Sequence, residues 1–98
     1  MIKVLRINKK DNVAVALGDI KKGESFNIER TPWIAKENIN FGHKIALIDI
    51  FKGEKVIKYG EVIGYAIQDM KKGDWIHVHN LQSNRGRLKG GKINTDEI

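Results

Sequence analysis

Cysteine is absent from these 98 residues, which excludes disulfide cross-links and thiolate metal sites together. No apolar run approaches the roughly 20 residues of a membrane-spanning helix, and residues 1–20 lack an apolar stretch of signal-peptide length. The expectation is a cytoplasmic chain with no membrane partner. No window sustains the i, i+3, i+4, i+7 pattern of a long amphipathic helix. Aromatic residues make up only 7% of the chain, and they sit in apolar strand or turn contexts. They do not interleave with a basic run as a base-stacking platform would, so nucleic acid is not an expected partner. The charge balance, eighteen Lys plus Arg against twelve Asp plus Glu, is +6. Its lysines are mixed with acids, as in Lys52-Gly53-Glu54-Lys55, the pattern of a solvated surface that equally suits small carboxylates or an acidic protein.

What the chain does contain is a repeated device. The pattern Ala-[Leu/Ile]-x-Asp-[Ile/Met]-x-Lys-Gly-[Glu/Asp] occurs at Ala16 to Glu24, Ala46 to Glu54 and Ala66 to Asp74. Each copy reads as a short apolar strand ending in a turn. The Asp (Asp19, Asp49, Asp69) is expected to bond backbone N–H groups just ahead of it. The next Ile or Met tucks under the turn, and Gly23, Gly53 or Gly73 supplies the positive φ that redirects the chain. Copies thirty and twenty residues apart are too irregular for a stacked solenoid, which leaves a compact all-β domain that reuses one turn.

Between the copies, Val4 to Ile7 and Val13 to Leu17 flank Lys9-Lys10-Asp11-Asn12, a hairpin signal. Pro32, the one proline, predicts an edge strand or loop after Ile28. Residues 36–42 have the makings of one helical turn. Ile45 to Leu47, Val56-Ile57, Val62 to Ile67 and Trp75 to Val78 are short β-prone runs between glycine turns. These features place a β domain over residues 1–84 and a flexible or partner-docking basic, glycine-rich tail over residues 85–98. Unpaired edge strands leave room for a homo-oligomer, with no number fixed.

The three histidines are the side chains that titrate near neutrality. In an extended Trp75-Ile76-His77-Val78-His79-Asn80 strand, Ile76 and Val78 would face the core while Trp75, His77 and His79 share the other face. The two imidazoles would then lie about 6.5–7 Å apart. That suits an acid–base pair or half of a metal site, since zinc and iron centres need three or four ligands. It equally suits a surface that hydrogen-bonds a partner. His43 sits where Phe41-Gly42 feeds a strand, a common setting for a functional side chain.

The run from Gly42-His43-Lys44-Ile45-Ala46-Leu47 through Asp49-Ile50, Lys52-Gly53-Glu54 and Lys58-Tyr59-Gly60-Glu61 closely resembles the small module of the altronate and galactarate dehydratase family. Its continuation, Asp69 with Lys72-Gly73-Asp74 and Ile76-His77-Val78-His79-Asn80-Leu81, resembles it too. That family includes the alpha subunit of sulfolactate sulfo-lyase. The resemblance implies a small β-clip domain of the SAF type, shared with antifreeze-like domains. About half of the chain carries it strongly; residues 1–40 match more loosely.

The resemblance further implies β-elimination from a hydroxy acid, with loss of water from a sugar acid or of sulfite from sulfolactate. Such chemistry needs a base for the proton beside the carboxylate, a cation for the enediolate and an acid for the leaving group. It implies His43, His77 and His79 as catalytic candidates, and Lys44, Asn80 and Arg85 as substrate-binding ones. Longer members carry a catalytic domain that these residues lack, so the implied enzyme is a complex with a separate large subunit. A divalent metal, iron or magnesium, would be held mainly by that subunit. The rival expectation is a non-catalytic module that grips an anionic carbohydrate or a protein through the Trp75, His77 and His79 face, since fold alone never settles function.

Overall fold

A computed structural model describes residues 2–83, with side chains from Val4 onward. All regular structure among the described residues is β. The strands are β1 (Ile2–Leu5), β2 (Val13–Ala16), β3 (Ser25–Ile28), β4 (Thr31–Ile34), β5 (Lys44–Ala46), β6 (Lys55–Lys58), β7 (Glu61–Ala66), β8 (Trp75–Ile76) and β9 (Leu81–Ser83). They form a six-stranded sheet in the order β4-β3-β1-β2-β5-β8 and a three-stranded sheet in the order β6-β7-β9. The small β domain expected from the sequence is what the chain forms.

The first hairpin is present, with β1 antiparallel to β2. Its connection is held by Asp11, a carboxylate only 4% exposed. Asp11 accepts from the Asn8 N–H at 3.0 Å, the Tyr59 N–H at 3.1 Å and the Gly60 N–H at 2.8 Å. One buried anion thus ties the first connection to the β6–β7 hairpin, its desolvation offset by three backbone donors. Pro32 is tolerated because β4 lies at the sheet edge, where it pairs only with β3 and a missing donor can face outward.

The expected helical turn over residues 36–42 does not form. A fourth copy of the repeated turn lies there instead, Ala35-Lys36-Glu37-Asn38-Ile39-Asn40-Phe41-Gly42-His43, with Gly42 at φ +83°. The four turns associate as two reciprocal pairs. Ile20 and Ile39 exchange backbone bonds at 2.8 and 2.7 Å, as do Ile50 and Met70. Gly23 donates to the Ala35 carbonyl and Gly42 to that of Ala16, while Gly53 donates to Ala66 and Gly73 to Ala46, all at 2.8 Å.

The repeat aspartates also act differently from the local capping that the sequence suggests. Asp19 accepts from the Phe41 N–H, Asp49 from that of Lys72 and Asp69 from that of Lys52. Each reaches across to its partner turn; Asn38 does the same for Lys22. Local closure falls to the residue after the glycine. Glu24, Glu54 and Asp74 accept from the N–H three residues back, in Lys21, Phe51 and Lys71.

Ile20, Ile39, Ile50 and Met70, the residues tucked under the turns, are each 1% exposed and join two apolar clusters. One gathers Phe26, Ile28 and Ile45 with Ile20 and Ile39. The other gathers Val13, Val56, Ile76 and Leu81 with Ile50 and Met70. Burying each such side chain contributes about 1.5–3 kcal/mol, so the turns and the core stabilise one another.

Candidate functional site

Lys44 begins β5 and Trp75 begins β8; the two strands pair antiparallel, with Lys44 opposite Ile76 and Ile45 opposite Trp75. This pairing lays His43 beside a segment that follows it by more than thirty residues. The extended strand expected through Asn80 does not form. β8 stops at Ile76, and Val78 is 41% exposed, where alternation would bury it.

Asn80 is the physical reason. Its side chain, 3% exposed, accepts from the His77 N–H at 2.9 Å and donates to the Trp75 carbonyl at 2.9 Å. Short polar side chains that bond nearby backbone compete with strand pairing, and the chain turns back so that the His77 carbonyl accepts from Asn80 and Leu81. Asn80, expected to touch substrate, engages both ends of its amide in the loop. Those two bonds shape the segment that carries His77 and His79.

Four rings meet on this face. His77 lies 5.2 Å from His43 and 5.3 Å from Trp75, centroid to centroid, with interplanar angles of 12° and 23°. His79 lies 5.0 Å from Trp75 at 39°. These are distances at which offset aromatic rings attract. His43 and Trp75 are nearly parallel, 13° apart, with centroids 6.0 Å apart. They meet edge to edge, because the Trp75 Nε1–H donates to His43 Nδ1 at 3.1 Å.

Lys44, the residue after His43 and the first of β5, is 3% exposed and lies within electrostatic reach of His77. Burial first, and the positive charge of Lys58 second, lower the Lys44 pKa from 10.5 to about 8. Among the described residues, carboxylates form ion pairs with Arg6 and Lys36 and none with Lys44. His77 is held below its usual 6.5, first by burial and then by the basic groups around it, Lys44 among them. Near His77, which itself resists becoming charged, there is thus a buried cation that forms no ion pair with a carboxylate among the described residues.

His43, Lys44, His77, His79 and Asn80 are thus brought into one region. Arg85 and the proposed tail over 85–98 lie outside the described residues. Among those residues, no group of three or more His, Cys, Asp or Glu side chains is placed to hold a metal ion. The imidazoles with Lys44 beside them do not fit a self-sufficient divalent-metal site. An open depression of about 430 Å³ lies elsewhere, lined by Asn12, Ile48, Asp49, Ile50, Gly53, Glu54, Lys55 and Tyr65, and holds none of the four rings.

The altronate/galactarate dehydratase SAF domain model matches residues 2–84. The chain belongs to that family. Altronate dehydratase of Escherichia coli is 42% identical over 84 residues, covering 86% of this chain and 17% of that protein. Altronate dehydratase of Bacillus subtilis is 45% identical over 80 residues, 82% of this chain and 16% of the relative. The SAF-family chain therefore spans about one sixth of these two enzymes. The (2R)-sulfolactate sulfo-lyase subunit alpha of Chromohalobacter salexigens is 36% identical over 72 residues, 72% of this chain and 77% of that subunit. The four rings, Lys44 and Asn80 all lie inside the matched span, and Arg85 falls one residue beyond it.

In this SAF-family domain the histidine face was marked in the sequence by a signal that composition and strand alternation pass over. His43 occupies the position that holds a carboxylate in the other three turns. Its backbone N–H still closes the turn on the Asn40 carbonyl at 3.0 Å, while its side chain is directed to Trp75 instead.

Proposed function

We propose that this SAF domain is the small subunit of a hydro-lyase that dehydrates a sugar acid of the altronate or galactarate type by β-elimination, active together with a separate large subunit. The observation that carries this reading is the convergence of His43, His77 and His79 around Trp75, with Lys44 close enough to His77 to help lower its pKa. Membership in a dehydratase family supports the reaction class. A relative of similar extent that is named as a subunit supports the division into two chains.

In this proposal Lys44 meets the substrate carboxylate, since a buried cation gains most from an anion that shares its low-dielectric site. His77, held largely uncharged at neutral pH, is suited to accept the proton beside that carboxylate. In this proposal the divalent cation, iron or magnesium, is held mainly by the large subunit, and no donor cluster among the described residues here would hold it unaided. Arg85 is a second candidate for the carboxylate.

The test is co-purification with a large dehydratase chain, followed by assay of altronate and galactarate dehydration. Turnover should need both chains, and His77→Ala should lower kcat by about 10²-fold or more while the domain's melting curve stays cooperative. Equal turnover without this chain would overturn the subunit role. Tight sugar-acid binding without turnover would favour a non-catalytic carbohydrate-binding module.

A further inference from the structure

Three of the four turns place a carboxylate after the glycine, and each carboxylate is bonded to its own turn: Glu24 to the Lys21 N–H, Glu54 to that of Phe51 and Asp74 to that of Lys71. The fourth turn has His43 at that position, and its Nδ1 accepts from Trp75 Nε1 at 3.1 Å. An indole N–H only donates, so the nitrogen that receives it bears no proton. An imidazolium carries protons on both nitrogens and cannot receive this bond. The remaining form is neutral, with its single proton on Nε2.

We propose that Trp75 is a positioning residue that fixes His43 as the neutral Nε2–H tautomer, and that His43 serves by donating a hydrogen bond to a substrate oxygen without taking or giving a proton. With Nδ1 occupied, the ring has no free basic nitrogen. A fixed neutral imidazole N–H is well suited to an oxygen that gains negative charge, because it needs no reorganisation as the charge develops. The labour on the face then divides: His43 donates, and His77 accepts the proton. The tautomer stands on the geometry alone, whereas the substrate role rests on the lyase reading.

The tautomer is tested in the full chain labelled with ¹⁵N at His and Trp. Long-range ¹⁵N–¹H spectra at neutral pH should show His43 protonated on Nε2 and bare on Nδ1, with a coupling across the hydrogen bond to Trp75 Nε1. Trp75→Phe keeps an aromatic ring and deletes the donor, and should release His43 into a mixture of tautomers while the amide spectrum remains that of a folded domain. If that variant unfolds, the wild-type coupling decides. A proton on Nδ1 in the wild-type chain, or a tautomer unchanged in a folded Trp75→Phe variant, overturns the inference.

The substrate role is tested separately in the two-chain enzyme. His43→Gln keeps an N–H near the place of Nε2 and should retain kcat at least about tenfold above His43→Asn, whose amide falls short. Equal large losses would overturn the donor role. No loss in either variant would likewise overturn the donor role, while absence of sugar-acid turnover in the wild-type complex would overturn the lyase reading; both leave the tautomer standing.

Discussion

Asp49 and Asp69 cap each other's turns: Asp49 Oδ1 accepts from the Lys72 N–H at 2.9 Å, and Asp69 Oδ1 accepts from the Lys52 N–H at 2.9 Å. Because each bond crosses to the partner turn, loss of one carboxylate loosens two turns at once. Asp69→Ala should lower stability by about 1–2 kcal/mol, the range for a charge-assisted bond at a solvated site. Urea denaturation would show this as a lower midpoint with an unchanged slope. A shift below about 0.3 kcal/mol would mean that the cross-turn bonds carry no weight.

Lys44 gives a stability profile of unusual sign. Its folded pKa of about 8 lies below the ordinary 10.5, so the unfolded chain binds its proton more tightly. The resulting deficit is fully present below pH 8 and is relieved as the pH climbs from 8 to 10.5. Lys44→Met should stabilise the domain by about 1–3 kcal/mol near pH 7 and flatten the melting temperature across that alkaline window. In the two-chain enzyme the same substitution should raise KM for the sugar acid at least about tenfold.

His77 acts at the other end of the pH scale. Its folded pKa lies below 6.5, so the unfolded state takes up the proton first. The histidine contributes nothing above pH 6.5, and stability is lost as the pH falls from 6.5 toward the lower folded value. Melting temperatures of wild type and His77→Gln should coincide above pH 7 after a constant offset. Below pH 6.5 the wild type should fall more steeply.

Gly64 lies where β7 meets β9. A Cβ built there comes within 2.2 Å of the Gln82 backbone oxygen, a contact that only backbone movement can relieve. Gly64→Ala should cost about 2–3 kcal/mol and disturb the loop that Asn80 holds just before β9. Amide spectra should show shifts at Leu81 to Ser83 and at His77 to His79 together. A variant as stable as wild type, with those resonances unmoved, would mean that the two strands separate freely.

Much of this architecture was legible because glycine, aspartate and a small buried apolar residue recur at fixed offsets. That recurrence located three turns and the residues beneath them, and Pro32 located an edge. The fourth turn escaped because Asn38 replaces the aspartate, Phe41 replaces the lysine and His43 replaces the acid. The candidate residues His43, His77 and His79 were legible in the sequence, and the fold brings them together around Trp75. Their geometry was not legible, since strand alternation from Trp75 onward yields to the Asn80 amide, a competition between side chain and backbone that periodicity does not register. Lys44 as a buried cation was invisible for a related reason. Burial at the first residue of β5 depends on the strands on either side, β2 and β8, rather than on its own neighbours in sequence.

The indole–imidazole bond between Trp75 and His43 closes a loop of 32 residues. Closing so long a span depends on β5 and β8 having paired, and with them the turns in between. The histidine face therefore exists only where β5 and β8 are paired, and a nascent or partly melted chain would display unpaired imidazoles of no particular orientation. Nitrogen resonances of a single histidine thus double as a gauge of whether the molecule has finished folding.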